Sequence, residues 1–417
     1  MLDIKFIRQN PEIVKEAARK KGVSVDIDQL LALDERRRHV LTELESKRAQ
    51  QNKKSAEGKP GPEALESLKK LKEEIKILEE EIRNVETDLE KLMLLAPQVP
   101  DPSVPEGKDD QANQEIRRWG KLPAFDFPAK DYLTLMQELD LVDVERGAKV
   151  SGFRGYFLKN EAVLLASALW SFTLERLIKK GFTPMIAPAI ARKFSFVGTG
   201  WLPQGKGEIY QVGNDDYLIG TSEVSVMAYH AGEILREEEL PKKYVAFSSC
   251  YRSEAGSYGK DTKGILRVHE FFKVEQVVLC KNDHEESVKW HEEITKNSEE
   301  IVQTLMLPYR VVINSTGDLG LGQVKKYDIE TWLPSQQKYR ETHSASYFHD
   351  FQTRRLNIRY RGRDGEIRFA HSLNNTAIAT PRILANIFEN HQTKKGTVKI
   401  PKILQKYVGI KEIKPKR

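Results

Sequence analysis

The chain has only two cysteines, Cys250 and Cys280, among its 417 residues. A disulfide framework is therefore excluded, and such sparse cysteine is typical of a protein from a reducing compartment. Neither cysteine has a second cysteine or a histidine at zinc-finger spacing. Apolar runs stay far short of the roughly 20 residues that a membrane span requires, and the N-terminal segment resembles neither a secretory signal nor a transit peptide. We therefore expect a cytoplasmic protein without a membrane segment.

Neither sign of charge dominates, because 67 lysines and arginines face 61 aspartates and glutamates, a formal net charge of +6. This excess is compatible with a polyanionic partner but is weak as an argument, so the places where lysines cluster matter more. The chain is longer than the roughly 250 to 300 residues at which one hydrophobic core stops growing. Two domains are expected.

The first hundred residues have the pattern of helices with a coiled-coil seam. Asn10 is expected to cap a helix that has Pro11 in its first turn and ends before Lys21. Further along, apolar residues recur at spacings of three and four: Leu68, Leu71, Ile75, Leu78, Ile82, Val85, Leu89 and Leu92. A partner stripe precedes the Gly/Pro break at residues 55–62 and consists of Leu30, Leu33, Val40 and Leu44. The pattern predicts an antiparallel two-helix hairpin, in which a helix of about 33 residues is roughly 50 Å long.

Basic residues gather at the turn end of this hairpin: Lys47, Arg48, Lys53, Lys54, Lys59, Lys69, Lys70 and Lys72. A run of charge is usually only a solvated helix face. Here the cluster lies at the tip of a lever that buries little against its own domain, which favours contact with a phosphate backbone.

A proline-rich stretch at residues 97–105, followed by polar residues up to 114, predicts a stiff linker. Beyond about residue 117, helical stretches such as 160–180 alternate with short strand-like runs. These runs are Tyr244–Phe247, Val274–Leu279, Tyr309–Ile313 and Leu356–Tyr360. Strands joined by hairpins, without regular βαβ alternation, predict an α+β domain built on an antiparallel sheet.

The most informative motif is Arg252-Ser-Glu254, followed by Arg267-Val-His-Glu-Phe-Phe-Lys-Val-Glu275. It alternates cations, carboxylates and aromatics as an antiparallel hairpin that binds ATP would. Arginine can hold a polyphosphate through paired hydrogen bonds, an aromatic face can stack on adenine, and a carboxylate can accept from an amine or a hydroxyl. The alternative is a charged surface hairpin with simple strand alternation.

Residues 247–275 closely resemble the second signature motif of the class II aminoacyl-tRNA synthetases, in the form found in the seryl-tRNA synthetase family. Other family motifs occur in order along the chain: Gly181–Pro188, which resembles motif 1, Thr221–Glu223, Tyr339–Ser344, Asp350–Arg355 and Ala379–Arg382. The resemblance implies a tRNA-binding domain at residues 1–100 with a helical arm at about 27–95, a linker at 101–116, and a class II catalytic domain at 117–417. It also implies a homodimer, because motif 1 belongs to a subunit interface in this class.

The resemblance assigns ATP to Arg252, Ser253, Glu254, Arg267, Val268, Phe271, Glu341, Thr342, His343, Ser344 and Arg382. Three of them form the implied catalytic set: Arg252 bridges the serine carboxylate and the α-phosphate, Glu254 meets the adenine amino group, and Arg382 covers adenine opposite Phe271. Arg267 binds the outer phosphates. Glu341 and Ser344 match the ligands of the Mg²⁺ that accompanies ATP. The chain does not resemble the divergent branch of the family that carries a catalytic zinc.

L-Serine is assigned, again by resemblance, to Thr221, Ser222, Glu223, Arg252, Glu275 and Thr376. A pocket that hydrogen-bonds a hydroxyl rejects alanine, because a buried polar group is then left unpaired, and a small volume excludes threonine. Each of these residues alone could equally form an ordinary salt bridge or be a polar strand residue.

Two stretches qualify the resemblance. Residues 200–206 fit the opening of a phosphate-binding P-loop, but Gly207 stands where serine or threonine is needed, so a Gly-rich loop beside the substrate pocket is favoured. In the last motif, Asn374 and Asn375 replace a glycine-containing stretch. The backbone there is in question, because asparagine is the residue other than glycine that best tolerates a positive φ.

The sequence thus predicts an ATP-dependent ligase that forms seryl-adenylate and transfers the seryl group to the 3′ end of tRNA(Ser), with tRNA(Sec) left open as a second substrate. The arm would bind tRNA through Lys47, Arg48, Lys53, Lys54, Lys69 and Lys70. One rival is a synthetase-like ligase that loads a carrier protein, against which the long arm argues. Another is a catalytically inactive adaptor that binds RNA or protein, against which the complete set of site residues argues.

Overall fold

The computed structural model describes residues 1–56, 61–256, 259 and 261–415. Its contacts divide the chain into two compact units, Met1–Val99 and Pro100–Arg417. Among the helices of the described ranges, none combines the length and the apolar character needed to cross a membrane.

The first unit consists of helices α1 (Ile4–Gln9), α2 (Pro11–Lys20), α3 (Ile27–Ala56) and α4 (Pro62–Leu95). Helix α2 has the predicted bounds, but the predicted cap is wrong in one detail. Asn10 occupies the N-cap position, yet its side chain makes no capping bond and donates backwards to the carbonyl of Phe6 at 3.1 Å. Asn10 therefore ends α1, and α2 starts with Pro11, whose ring fixes a helical φ without needing a partner for an N–H.

Helices α3 and α4 pack along the predicted seam. The buried centre of that seam consists of Val40, Leu44, Leu71, Ile75, Leu78 and Ile82. The helices run antiparallel, because ion pairs join Arg36 to Glu81 and Lys47 to Glu74. Of the Gly/Pro break predicted at 55–62, residues 57–60, which include Lys59, lie outside the described residues.

The second unit contains helices α5 (Tyr132–Glu138), α6 (Val144–Ser151), α7 (Glu161–Lys179), α8 (Lys193–Thr199), α9 (Glu223–Ala228), α10 (His284–Thr304), α11 (Phe351–Leu356), α12 (Thr380–Asn390) and α13 (Gln405–Val408). Its strands are β1 (Gln114–Trp119), β2 (Val142–Asp143), β3 (Phe157–Leu158), β4 (Thr183–Ile186), β5 (Ile190–Arg192), β6 (Tyr210–Gln211), β7 (Asp216–Leu218), β8 (Ile234–Arg236), β9 (Lys242–Tyr251), β10 (Glu270–Cys280), β11 (Tyr309–Ile313), β12 (Lys325–Leu333), β13 (Lys338–Tyr347), β14 (Arg359–Arg361), β15 (Ile367–Phe369), β16 (His371–Ala379), β17 (Val398–Lys399) and β18 (Glu412–Ile413).

The main sheet has the strand order β1-β11-β12-β13-β16-β10-β9-β4, and its neighbours are antiparallel except β4 and β9, which run parallel. Apolar residues of α5, α7, α10 and α12 join those of the sheet in one hydrophobic core. Successive residues of a strand point to opposite faces. On β10, Gln276 points to α10, where it donates to the carbonyl of Ile294 at 3.0 Å, so Lys273 and Glu275 face the other way. The predicted α+β class with an antiparallel sheet is confirmed.

The strand predictions succeed for the long strands and fail at one short one. Strand β11 has the predicted bounds, and the runs at 244–247 and 274–279 lie inside the longer β9 and β10. The strand predicted at Leu356–Tyr360 is wrong, because Leu356 is the last residue of α11 and Asn357 adopts a φ of 54°. The strand β14 starts only at Arg359. The apolar residues at 356, 358 and 360 alternate as in a strand, although the first of them is the end of a helix.

Residues 101–116, expected as a linker, belong to the second unit and form hydrogen bonds with the rest of it. The hydroxyl of Tyr347 donates to Asp101 at 2.7 Å, and the amide of Thr316 donates to the carbonyl of Pro105 at 2.9 Å. Residues 114–119 form strand β1, which pairs with β11 at the edge of the main sheet.

Candidate active site

The sequence-predicted ATP residues meet around a cavity of about 540 Å³, called here the first cavity, beside β10, β13 and β16. Its lining includes Arg252, Glu254, Arg267, Val268, Phe271, Glu341, Thr342, Ser344 and Arg382. These residues come from the β9–β10 connection, from β10 and β13, and from the first turn of α12. The fold therefore brings together motifs that are more than a hundred residues apart in the sequence.

A second cavity of about 360 Å³ is lined by five of the six residues predicted to bind serine: Thr221, Glu223, Arg252, Glu275 and Thr376. The two cavities share part of their walls. Arg252, Lys273, Gln323, Ser344 and Thr376 line both. A molecule in one cavity is therefore in reach of a molecule in the other.

Arg252 is held in a defined orientation on this shared wall. Its guanidinium carbon lies 5.6 Å from the ring centroid of Trp201 and 5.6 Å from that of Phe271. Its Nε donates to the carbonyl of Gly220 at 3.3 Å. Aromatic faces attract a guanidinium and restrict its motion, so this cation is positioned before any anion arrives.

Glu254 has an unusual backbone, with φ at +57°, a region that few non-glycine residues occupy. Its carboxylate accepts from Nη1 of Arg267 at 2.5 Å. Backbone strain of this kind collects at functional sites, where neighbouring structure enforces it. In the structure the carboxylate is thus engaged with Arg267, and any ligand amine at Glu254 would have to share or displace that bond.

One wall of the first cavity carries several charged side chains around Glu341. Nη1 of Arg382 donates to the carbonyl of Glu341 at 2.8 Å and lies 3.3 Å from its carboxylate. The side chain of Glu341 is 48% exposed, so the surrounding protein opposes its ionisation only in part, and Arg382, Lys326 and Arg252 lower its pKa to about 2. Glu341 is therefore a carboxylate at neutral pH and faces the cavity beside Ser344.

The second cavity contains a buried ion pair that sequence reasoning did not assign. Nζ of Lys273 lies 3.0 Å from the carboxylate of Glu275, and both side chains are less than a tenth exposed. Thr376, the cross-strand neighbour of Glu275, donates to the same carboxylate at 3.2 Å. Burial raises the pKa of Glu275, and Lys273 and Thr376 oppose that rise. The signal for Lys273 was its place two residues before Glu275, on the same strand face.

Lys326 is the second cation that sequence reasoning missed. It lines the first cavity and lies 3.5 Å from the carboxylate of Asp328 and 3.6 Å from that of Asp318. The acids raise its pKa against the effect of burial, so it stays charged. Its signal was weak, because only the spacing of Lys326 and Asp328 along one strand pointed to a site.

Glu223 is the deeply buried acid of the second cavity, with 6% of its surface exposed. Burial raises its pKa to about 7, although Gln352 donates to its Oε1 at 2.6 Å and so favours the ionised form. A carboxyl with a pKa this close to neutral is only partly ionised at neutral pH, and a cation bound beside it favours the ionised form.

Three predicted site residues do not line either cavity. The hydroxyl of Ser222 donates to the carbonyl of Ala246 at 3.4 Å, and that of Ser253 donates to the carbonyl of Gly207 at 2.6 Å. His343 is buried, with Nε2 at 3.1 Å from the carbonyl of Ala377, and burial lowers its pKa to about 4. These side chains brace the surrounding backbone.

The structure shows the backbone conformation at Asn374 and Asn375 and the location of the glycine-rich stretch at 200–206. Asn374 and Asn375 lie within the regular strand β16 and have no positive φ, so the suspected special backbone is absent. Nδ2 of Asn375 donates to the carbonyl of Ile294 at 2.6 Å. Trp201, Gln204 and Gly205 line the second cavity, as expected of a loop beside the substrate pocket.

In the first unit, the six predicted tRNA-binding residues lie on α3 and α4 toward the ends that flank residues 57–60. Three of them are tied into the hairpin, because Lys47 pairs with Glu74 at 2.7 Å, Arg48 pairs with Glu79 at 2.8 Å, and Lys54 donates to the hydroxyl of Ser67. Lys53, Lys54, Lys69 and Lys70 are exposed. Exposed ion pairs are weak and exchange readily, so they do not exclude phosphate contact.

Two family models match the chain. The model of the seryl-tRNA synthetase N-terminal domain matches residues 1–100. The model of the tRNA synthetase class II core domain (G, H, P, S and T) matches residues 209–391. Together they span parts of both structural units.

Relatives match over the full length. The serine-tRNA ligase of Deinococcus radiodurans is 46% identical over 421 residues, 99% of this chain and 99% of the relative. The crystal structure of seryl-tRNA synthetase from Pyrococcus horikoshii complexed with ATP gives a TM-score of 0.93 at 44% identity and covers 100% of both chains. That of the cytoplasmic serine-tRNA ligase from Naegleria fowleri in complex with AMP gives 0.89 at 35% identity, covering 100% of this chain and 99% of the other.

Proposed function

The chain belongs to the seryl-tRNA synthetases, which makes it an ATP-dependent serine-tRNA ligase with a class II catalytic domain, and from that premise we propose which residues carry each step. The first reaction joins L-serine to ATP: a carboxylate oxygen of serine attacks the α-phosphorus, the bond to the β-phosphate breaks, and pyrophosphate leaves. In the second, a hydroxyl of the 3′-terminal ribose of tRNA(Ser) attacks the carbonyl carbon of seryl-adenylate, its bond to the phosphate oxygen breaks, and AMP leaves.

One observation carries the assignment of the first reaction, namely that Arg252 lines both cavities. Two anions must approach each other for this attack, and a cation between them offsets their repulsion and the charge that develops on the phosphate. ATP in the first cavity and serine in the second would meet at Arg252. Its planar fork can bind a carboxylate oxygen and a phosphate oxygen at once.

The proposed ATP contacts follow the lining of the first cavity. Phe271 and Arg382 would enclose adenine, Glu254 would accept from its amino group, and Arg267 would bind the outer phosphates. The bond between Arg267 and Glu254, at 2.5 Å, keeps both groups oriented while the cavity is free of ATP. Binding then exchanges one charge-assisted hydrogen bond for two bonds to the nucleotide.

Glu341 and Ser344 suit the Mg²⁺ that accompanies ATP. The low pKa of Glu341 keeps a hard anionic oxygen in the first cavity, and the hydroxyl of Ser344 lies on the same wall. Magnesium is usually held by one or two protein oxygens together with substrate phosphates and water. When bound, it would neutralise phosphate charge. We propose no role for zinc in this reaction. We place the reaction in the cytoplasm, a reducing compartment, because both cysteine thiols are free.

In the second cavity, Glu223 and Thr221 would receive the serine ammonium group, and Glu275 and Thr376 its hydroxyl. The hydroxyl has a prepared partner, because Lys273 and Thr376 fix the Glu275 carboxylate. A substrate without a hydroxyl would leave that carboxylate short of one donor inside a buried site, which is costly.

Activation assays with serine, threonine, alanine and glycine are expected to show serine far ahead in kcat/KM. Alanine and glycine should fall behind by about 10⁴-fold, the discrimination typical of sites that hydrogen-bond a substrate hydroxyl. Pyrophosphate exchange measured with each amino acid checks this. A higher kcat/KM for any other member of the panel would contradict the assignment of Glu275 and Thr376.

We further propose that residues 1–100 form the tRNA-binding domain, residues 117–417 the catalytic domain, and the exposed lysines of α3 and α4 the contact with tRNA(Ser). Four exposed lysines near one end of a two-helix hairpin can track a phosphate backbone without reading bases. Charging assays with tRNA(Sec) in parallel decide whether it is also a substrate.

A homodimer is proposed because large apolar side chains around motif 1 face solvent in the single chain. Ile186 on β4 is 86% exposed, and Val163, Leu164 and Ile178 on α7 are between 45% and 50% exposed. A contiguous apolar patch marks an interface, and we propose that these side chains belong to one. Light scattering on the purified protein should give about twice the chain mass of 47.8 kDa. A concentration-independent mass of one chain would contradict this proposal.

Serine-dependent ATP–pyrophosphate exchange followed by charging of purified tRNA(Ser) tests the whole proposal. Exchange without charging would identify a serine-activating ligase with another acceptor. Absence of both in folded protein would leave only an RNA-binding role.

A further inference from the structure

A chain of buried hydrogen bonds leads to Glu223 in the second cavity. It begins at two residues, Ser372 and Gln352, that have no role in the proposal above. Oγ of Ser372 donates to Oε1 of Gln352 at 2.8 Å, and Nε2 of Gln352 donates to Oε1 of Glu223 at 2.6 Å. Ser372 is 0%, Gln352 1% and Glu223 6% exposed. Water is therefore excluded from this chain of bonds, and each bond acts in a medium of low dielectric.

The direction of these bonds is fixed by the groups around Gln352. Its amide nitrogen faces two acceptors, the Glu223 carboxylate and the carbonyl of Thr199 at 3.3 Å. A reversed amide would place its oxygen against both acceptors, which an amide cannot satisfy. Gln352 is thus a donor to Glu223, and Ser372 keeps its amide plane in place.

Gln352 also lies on a well-anchored element. Its neighbour Thr353 donates to the carbonyl of Ala370 at 2.5 Å, and Arg355 donates to the carbonyl of Val197 at 3.0 Å. These bonds fasten α11 to Ala370, the residue before strand β16, and to α8. A group whose own backbone is fixed can hold another side chain within a few tenths of an ångström.

We infer that Gln352 is the positioning residue of the serine site, which orients the Glu223 carboxylate and keeps it ionised for the serine ammonium group. This inference rests on the proposed role of Glu223. Gln352 does not reach the reacting atoms and acts only through Glu223. Among charged groups, Glu275 raises the pKa of Glu223 and Lys273 lowers it; two neutral donors, Gln352 and then Asn374, also lower it, and Gln352 has the larger effect of the two.

The test replaces Gln352 by methionine, which keeps the length of the side chain and removes the donor. We expect the KM for serine to rise at least about tenfold, as for loss of a hydrogen bond to a charged group, while kcat and the KM for ATP change less than about threefold. The free enzyme's kcat/KM for serine should rise with pH through about 7, the pKa of Glu223. In Gln352→Met this midpoint should move up by about one pH unit.

Two further variants separate donation from packing. Gln352→Glu keeps the shape but substitutes a second carboxyl, so its alkaline shift should exceed that of Gln352→Met. Gln276→Met removes a buried amide from β10 of the main sheet, on the face toward α10, where Gln276 donates to the carbonyl of Ile294 at 3.0 Å. This control should lose thermal stability without a change in the serine KM or the pH midpoint.

The possible results separate the role inferred for Gln352 from the role proposed for Glu223. If folded Gln352→Met keeps the wild-type serine KM and pH midpoint while Glu223→Gln loses serine binding, the inference is wrong and the role of Glu223 stands. If Glu223→Gln also binds serine normally, the role of Glu223 itself is wrong. Equal effects on the serine and ATP constants in Gln352→Met, matched by Gln276→Met, would show that Gln352 is only structural. Should Gln352→Met not fold, Gln352→Glu decides by the same criteria.

Discussion

Arg252→Lys is expected to fold and yet to slow serine-dependent ATP–pyrophosphate exchange by at least about a hundredfold, as loss of a major preorganised electrostatic group does. The physical reason is geometric. Lysine keeps the charge, but its compact ammonium reproduces neither the planar fork nor the contacts with Trp201 and Phe271, whose ring centroids are each 5.6 Å from the guanidinium carbon. The loss should appear mainly in kcat, because the charge that develops on the phosphate as the two anions react strengthens its contact with this cation.

Arg310→Lys is the matched control for this substitution. Arg310 lies on β11 of the same sheet, 5.1 Å from the ring centroid of Tyr339, and its Nε donates to Glu330 at 2.6 Å. It lines neither the first nor the second cavity. Exchange within about threefold of wild type is expected there. Near wild-type exchange in folded Arg252→Lys would remove the central element of the proposed mechanism.

Deletion of residues 49–71, with a short turn that joins Arg48 to Lys72, is expected to leave serine-dependent exchange nearly intact and to reduce charging of tRNA(Ser) severely. Lys47 of α3 pairs with Glu74 of α4 across the hairpin. The two ends left by the deletion, Arg48 and Lys72, therefore lie opposite each other, so a short turn can join them. The seam residues Val40, Leu44, Ile75, Leu78 and Ile82 remain. The deletion removes Lys53, Lys54, Lys69 and Lys70 together with the helix ends that carry them.

Salt dependence and a charge-only variant sharpen this prediction. Glutamine at Lys53, Lys54, Lys69 and Lys70 preserves both helices and should weaken tRNA binding, with the slope of log affinity against log salt lowered by up to about one unit per lost phosphate contact. The matched control carries glutamine at Lys395, Lys399, Lys402 and Lys411, four exposed lysines of the second unit. Efficient charging by the truncated protein at physiological salt would show that the arm binds something other than this tRNA.

The sequence predicted the parts of the fold that repeat a simple period. The seam of α3 and α4 follows a spacing of three and four over several turns, and the long central strands alternate between the core and the site. Short elements next to chain reversals were harder to predict. At Leu356–Tyr360 the same apolar alternation fits a strand and a helix end, and only the positive φ of Asn357 distinguishes them. Asn10 shows the same limit, because its side chain could serve either adjoining helix.

The site residues were predicted as a set through the order of the motifs, and the cavities gather most of them. The sequence could not show which side chains of a motif face the cavity. Ser222, Ser253 and His343 sit inside the motifs but form hydrogen bonds with neighbouring carbonyls. Lys273, Lys326 and Gln352 were missed because lysine and glutamine are common surface residues, and only tertiary burial gives them a special role.

The shared position of Arg252 has a consequence for the thermodynamics of substrate binding. Serine and ATP each bring an anion to one guanidinium, so whichever arrives first reduces the field that the second one meets. Linkage makes this penalty mutual: if serine lowers the affinity for ATP by a given factor, ATP lowers that for serine by the same factor. Lys273, which also lines both cavities, supplies charge that limits the antagonism. Calorimetric titration of each substrate, with and without an unreactive analogue of the other, would give this coupling free energy directly.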